Sequence, residues 1–449
     1  VVLDISVVNT ALPSIGTALS LRGSPLQWVV TAYLLMSGGG LLLGGRVADL
    51  LPRRRVFLTG LAIFTIASLL SGLATGAGML IASRGAQGLG AALMTPAALS
   101  LIMTAYTGAQ RAKGLALWGA LGSMGIAAGV VFGGAITTWA GWQMIFWVNV
   151  PVGVAAFIAG RTLIAKEAAT SGGLRELDLP GAAAAVGGLA ALLLGIQGAV
   201  DHGWTSPRTL GLLGVAVVLL GSFARIERRV RRPLVPPHTW KIKTLVSGTA
   251  VMFCVTGILV GAIFLCSVFV QTVLGYSALA TGLAVLPLAV VMTLSAHVAS
   301  HLVARHSPRS VATAGLVLAA LGAVLLSRAT DTSSYLTGLL PGLLVVGLGT
   351  GLVFVAVSVT AMAGIPAQHA GMASGFLMTG HEVGAALGVA VVSAVATTAG
   401  SLTTSAGAAG GFTRGLVAVA VICAAAAAVA FATMPKARLA GAANMHMHH

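Results

Sequence analysis

The chain has 449 residues, 57% hydrophobic and only 8% charged, whereas a typical soluble domain carries about 25% charged residues. So little charge excludes a surface that faces water all round. The formal net charge of +16 would suit a nucleic-acid partner, but the basic residues sit in short loops between apolar runs, and that reading is set aside.

A bilayer core about 30 Å thick takes roughly 20 apolar residues per helix. Every backbone polar group inside it must be bonded internally. A membrane barrel would alternate polar and apolar residues over segments of about ten, and these apolar runs are continuous and longer. In chain order the runs predict spans at 1–19, 28–48, 56–76, 79–103, 112–138 and 144–165, then 179–200 and 209–226, then 245–272, 278–300, 310–328, 335–362, 371–397 and 412–434. The expected fold class is an all-α membrane protein of fourteen spans, two six-helix halves with two extra transmembrane helices between them. The boundaries read from the runs are an N-terminal half at 1–165, an inserted pair with its linkers at 166–244, a C-terminal half at 245–434 and a tail at 435–449. The first segment begins without a charged leader or a cleavage site, so it reads as a sequence trimmed at its start rather than one led by a signal peptide. Sixty glycines suit helices that pack closely in lipid, where small residues let backbones approach.

Orientation follows from the basic residues. Twenty of the 25 Lys and Arg fall in loops on one side, among them Arg53, Arg54, Arg55, Arg111 and Arg305. Arg22, Arg208, Arg328 and Arg414 fall on the other, and Arg84 lies inside a helix. The richer side should be cytoplasmic, with both termini on it. The stretch Arg225 to Lys243 reads as a cytoplasmic linker between the halves. Val47-Ala48 followed by Pro52-Arg53 recurs as Val303-Ala304 followed by Pro308-Arg309, each after the second helix of a half. Parallel repeats of this kind mark one large class of transporters. Cys254, Cys266 and Cys423 all lie in apolar runs, so no disulfide framework is implied. His446, His448 and His449 form a tail without a partner cluster, and no metal site or cofactor is expected.

Of the nine acidic residues, Asp4 and Glu382 fall inside apolar segments, and Arg84 is their basic counterpart. A charge at the bilayer centre costs about 2.5–3.5 kcal/mol on insertion scales. Such residues should face a partner or a cavity. An Asp4–Arg84 pair has two readings, a lock that only holds the bundle or part of a proton or cation relay. His381 beside Glu382 supports the relay, since imidazole titrates near neutral pH. Neighbours on a helix point about 100° apart, so contact between these two does not follow from adjacency. No P-loop is present, and no Lys lies mid-helix, which leaves an ion gradient as the energy source.

Several stretches resemble the major facilitator superfamily, specifically its fourteen-helix drug:proton antiporter branch. Asp4-Ile5-Ser6-Val7-Val8-Asn9-Thr10-Ala11-Leu12-Pro13 is similar to the branch's first-helix motif. Trp28, Tyr33, Gly45 and Asp49 with Arg53, Arg54 and Arg55 match the second helix and the loop motif that follows it, with Leu50 and Pro52 where the motif has Arg and Gly. Arg84-Gly85-Ala86-Gln87-Gly88-Leu89-Gly90-Ala91-Ala92 matches the family's R-x-x-Q-G-x-G-A-A. Gly125 to Gly134 resembles its antiporter motif, with Val130 in place of Pro. Trp142 and Phe146 to Pro151 resemble the start of the sixth helix. Ala373-Ser374-Gly375 and Gly384 to Ala390 resemble the thirteenth, where His381-Glu382 replaces a frequent Arg-Gln.

The resemblance implies a single-chain, monomeric exporter working by alternating access, with proton coupling at Asp4, Arg84, Glu382 and His381. It implies substrate contacts at Asn9, Trp28, Tyr33, Gln87, Phe376 and Glu382, and gating at Asp49, Arg53, Arg54, Gly125 and Gly129. The partners implied are a small hydrophobic or cationic substrate, protons and membrane lipids, in a bacterial cytoplasmic membrane. The excess of Arg over Lys with abundant Ala and Gly resembles proteins of high-GC bacteria. Two alternatives stand beside this reading, a lipid or envelope-precursor flippase on the same fold and a membrane sensor that moves nothing.

Overall fold

Loop chemistry marks where the helices start. Ser277 and Ser307 accept hydrogen bonds at 3.2 Å from the backbone nitrogens of Ala280 and Ser310. Asp178 accepts one from Gly181 at 3.0 Å, and Thr404 one from Gly407 at 3.3 Å. Each side chain satisfies a first-turn donor that the helix itself leaves open. Pro52 directly precedes one helix, and Pro308 opens another at its first position, where a missing N–H costs nothing. The recurring Pro-Arg pair therefore marks the same event twice, a short connection from a second helix to a third.

The computed structural model describes residues 2–20, 24–106, 108–165, 178–230, 233–235, 237–331, 333–366, 369–400, 402 and 404–436. The expected tail beyond 436 and residues 166–177 of the linker lie outside the described residues. The helices are α1 (Val2–Ala18), α2 (Ser24–Leu50), α3 (Arg53–Gly72), α4 (Ala77–Ala105) and α5 (Gly108–Ala140). The sixth apolar run is split into α6 (Met144–Trp147) and α7 (Asn149–Leu163). Then come α8 (Leu179–His202), α9 (Pro207–Glu227), a 3₁₀ turn (Pro237–Lys241), α10 (Lys243–Thr272), α11 (Ala278–Arg305) and α12 (Pro308–Leu326). A π-helical turn (Tyr335–Leu339) leads into α13 (Leu340–Ala361), followed by α14 (Ala370–Thr397) and α15 (Ser405–Thr433). Each apolar run in the sequence thus overlaps a helix. Among the described residues, eleven helices are long and apolar enough to cross a membrane. The three runs outside that group are α1, which has 17 residues, α5, and α8, whose apolar stretch is Pro180–Ile196. The protein is a multi-pass, all-helical membrane protein.

Contacts divide the chain into two compact units. The first comprises Val1–Ala105, Phe132–Lys241 and Ile365–Thr379. Within it α4 packs on both α2 and α3. Gly90 makes this possible. A Cβ there would stand 2.7 Å from the Gly60 carbonyl oxygen and 2.7 Å from the Phe64 nitrogen, so only a bare backbone fits. The inserted pair packs by the same rule, with Leu220 over Gly188 of α8 and Leu213 over Gly195. After α9 the linker folds back on Glu227, whose carboxylate accepts the backbone N–H groups of Leu234 at 2.9 Å and Val235 at 2.8 Å.

The second unit comprises Tyr106–Val131, Ile242–Gly364 and Gly380–His449. It repeats the packing of the first. Here α13 packs on both α11 and α12, and a Cβ on Gly315 of α12 would stand 2.6 Å from the Gly349 carbonyl oxygen of α13. The Gly60–Gly90 and Gly315–Gly349 crossings both join a third helix to a fourth. The internal repeat is thus carried in packing as well as in the Pro-Arg loops. Apolar side chains elsewhere point outward, as lipid contact requires. Ile66, Leu69 and Leu70 of α3 are exposed, as are Val215, Val217 and Val218 of α9. The cysteines are free, with Cys266 and Cys423 buried in the packing.

Candidate functional site

The motif on α4 builds a buried charge centre. Arg84 and Gln87 are three residues apart, so they share a helix face, and both turn toward Asp4 of α1. Arg84 Nη1 donates to Asp4 Oδ2 at 2.6 Å and to Gln87 Oε1 at 2.7 Å. Gln87 Nε2 donates to Asp4 Oδ1 at 3.0 Å and to Ser68 Oγ of α3 at 2.5 Å. Arg84 Nε donates to the Val29 carbonyl of α2 at 3.1 Å. The guanidinium lies over the Tyr33 ring, 4.4 Å from its centroid, an arrangement worth about 2 kcal/mol when desolvated. Arg84 is fully shielded from solvent and Asp4 is 2% exposed.

The rest of the motif explains how that face is brought in. Gly88 lies against the Tyr33 carbonyl of α2, where a Cβ would collide. Gly90 crosses Gly60 of α3, and Ala92 meets Gly40 of α2. Arg and Gln therefore supply the polar contacts, while the small residues set the helix separations that let them reach Asp4.

Asn149 completes the centre, and the sequence reading did not single it out. Its Nδ2 donates to Asp4 Oδ1 at 2.8 Å and to Ser68 Oγ at 3.3 Å. It is the first residue of α7, directly after the break at Val148 that separates α6 from α7. A lone amide in an apolar run ahead of Pro151 was the available signal. The Asp4 carboxylate thus accepts from Arg84, Gln87 and Asn149, three donors on two different helices.

His381 and Glu382 of α14 form a second, more open group. His381 Nδ1 is 3.5 Å from Glu382 Oε1, with side chains 27% and 31% exposed. The two atoms are in proximity without forming a hydrogen bond. The His381 ring stands edge-on to Phe354 of α13, with centroids 6.1 Å apart, and Thr256 of α10 donates to the His381 carbonyl at 3.1 Å. The glycines flanking the pair seat this stretch of α14 on α10, where a Cβ on Gly257 would stand 2.8 Å from the Gly384 carbonyl oxygen. Among the described residues the Glu382 carboxylate has no hydrogen-bond donor, in contrast to Asp4.

The expected gating residues divide. Asp49, at the end of α2, accepts the backbone N–H groups of Gly371 and Met372, each at 2.7 Å. It thereby places a negative charge at the start of α14, where the helix dipole favours it. Arg54 donates to the Arg161 carbonyl, and Arg46 and Arg53 act electrostatically on Asp49. Gly125 and Gly129 are buried on α5. Of the expected substrate contacts, Gln87 and Tyr33 belong to the Asp4–Arg84 centre. Phe376 is covered edge-on by Trp240 of the linker, at 5.1 Å between centroids. Trp28 is half-buried on α2, and the side chain of Asn9 lies outside the described ones.

The geometry is that of a multi-pass helical membrane protein with an ion pair buried between α1 and α4. The family model of the Major Facilitator Superfamily matches residues 1–389. The chain belongs to that superfamily. Over 405 residues it is 40% identical to the puromycin resistance protein pur8 of Streptomyces alboniger, covering 88% of this chain and 79% of that one. Over 396 residues it is 37% identical to the cephamycin export protein CmcT of Amycolatopsis lactamdurans, covering 87% and 81%. The solved structure of the proton:xylose symporter XylE superposes with a TM-score of 0.66 at 14% identity, covering 98% of this chain and 94% of that one. This last likeness is one of fold.

Proposed function

We propose that this chain exports drug-like small molecules from a bacterial cell in exchange for protons, by alternating access across the cytoplasmic membrane. One observation carries the proposal. Asp4, a carboxylate inside the membrane bundle, accepts hydrogen bonds from Arg84, Gln87 and Asn149 with solvent excluded. Protonating it removes the charge that binds Arg84, so the clamp between α1, α4 and α7 loosens when a proton arrives and tightens when it leaves. That is the property a proton-coupled step requires. Export is supported by the relatives, whose names refer to puromycin resistance and cephamycin export.

In this reading the chain spans the membrane fourteen times in a six, two, six order. Both termini are cytoplasmic, and it acts as a monomer. Glu382, with its carboxylate partly open beside the His381 imidazole, is the counter-charge for a cationic or hydrophobic substrate. Asp49 and the basic residues around it hold the start of α14 as part of the cytoplasmic gate.

The test is drug-susceptibility profiling of a sensitive strain expressing the chain, with puromycin among the probes. Expression should raise the inhibitory concentration of at least one compound, and Glu382→Gln should abolish that protection at equal protein level. Protection against nothing, across a panel that includes puromycin and cephamycin, would overturn the proposal.

A further inference from the structure

Two histidines on α11 take no part in the groups described above. His297 and His301 are one helical turn apart and both exposed. Their ring centroids lie 5.5 Å apart, with the rings at 75°. Both fall in the membrane-crossing stretch Ala280–Val303, where an ionisable side chain is costly unless it has a partner or lines a wet path. Among the described residues neither ring has a hydrogen-bond partner. Among the described residues their rings contact each other.

We propose that His297 and His301 form a two-imidazole site for a divalent transition-metal ion. A neutral imidazole presents one lone pair suited to such an ion. With metal–nitrogen bonds of about 2.0–2.1 Å, each ring centre sits about 3 Å from the shared ion, so two ligating rings lie no more than about 6 Å apart. The observed 5.5 Å meets that condition. The i, i+4 spacing is the one by which helical zinc sites present two histidines to a single ion. Among the described residues no cluster of three or more His, Cys, Asp or Glu is placed to hold a metal, so two protein ligands leave the other positions to water. Nitrogen ligands select Ni²⁺, Cu²⁺ or Zn²⁺ over Mg²⁺ and Ca²⁺, which take oxygen. Arg305, one turn further along the helix, sets the affinity below that of a site with a carboxylate in that place.

The experiment is calorimetric titration of the detergent-solubilised full chain with NiCl₂. The background carries His446→Ala, His448→Ala and His449→Ala, because those residues also bind nickel. His297→Gln/His301→Gln should lose about one equivalent of bound Ni²⁺ per chain. His301→Gln alone should lose the same equivalent, which keeps the test decisive if the double variant fails to fold by size-exclusion elution. Cu²⁺ added to the parent should show two nitrogen ligands by electron paramagnetic resonance, and MgCl₂ should give no difference between parent and variants. Equal Ni²⁺ stoichiometry in the parent and His301→Gln overturns the proposal, as does loss of the equivalent in His306→Gln instead.

Discussion

Replacing Asp4 by Asn removes the charge that Arg84 faces at 2.6 Å, with both side chains out of water. Breaking a buried ion pair by removing one partner costs about 3–5 kcal/mol, because the remaining charge is left uncompensated. Here the cost has a second source. Asp4 accepts from three donors, Arg84, Gln87 and Asn149, and an amide offers one oxygen only. However it turns, its NH₂ group meets at least one donor. The Tyr33 ring under Arg84 is already engaged and offsets nothing new. Asp4→Asn should therefore lower unfolding stability by about 3 kcal/mol or more. Arg84→Gln should lower it comparably, leaving the carboxylate without its counter-charge. The double variant carries no buried charge and should recover much of the loss, so a coupling energy of about 2–3 kcal/mol is expected. The assay is equilibrium unfolding of the detergent-solubilised chain, with all four proteins in one cycle. Additive losses in the double variant would refute the reasoning, since they would mean that the two groups do not interact.

Two further outcomes follow from the packing and the gate. Gly90→Ala places a Cβ against the Gly60 carbonyl and the Phe64 nitrogen and should cost about 1–3 kcal/mol, whereas Gly211→Ala of α9, with open space around it, should be neutral or gain up to about 1 kcal/mol; equal unfolding midpoints for the two would contradict the packing account. Asp49→Asn removes the charge that holds the first turn of α14, a loss of about 1–2 kcal/mol, so amide exchange across residues 370–374 should quicken by roughly five- to thirtyfold, and unchanged exchange there would count against the gate.

The helices were legible because lipid leaves the chain little choice, and apolar runs of spanning length declare themselves. The R-x-x-Q-G-x-G-A-A stretch was legible as well, since an Arg inside such a run demands a partner and Asp4 was one of two acidic candidates. Ser68 and Asn149 were harder to see. Asn149 meets Asp4 across 145 residues, and only the break between α6 and α7 turns its amide inward. Tyr33 and Gln87 are substrate contacts that the resemblance implies, and the structure places both against Arg84. Phe376 drew the same reading, and the linker residue that covers it, Trp240, lies far from it in sequence. The last apolar run is expected to begin at 412, past the small residues Ser405 to Gly411. Thr404, which caps it, was the signal that helix α15 begins seven residues before the expected 412.

Proton movement driven by substrate tests the central claim most directly. Purified chain in proteoliposomes enclosing a pH-sensitive dye is given a compound identified by susceptibility profiling, with no imposed gradient. The parent should move protons against the flow of substrate, and Asp4→Asn should bind substrate but move no protons. Substrate-driven proton flux that persists undiminished in Asp4→Asn would contradict the account.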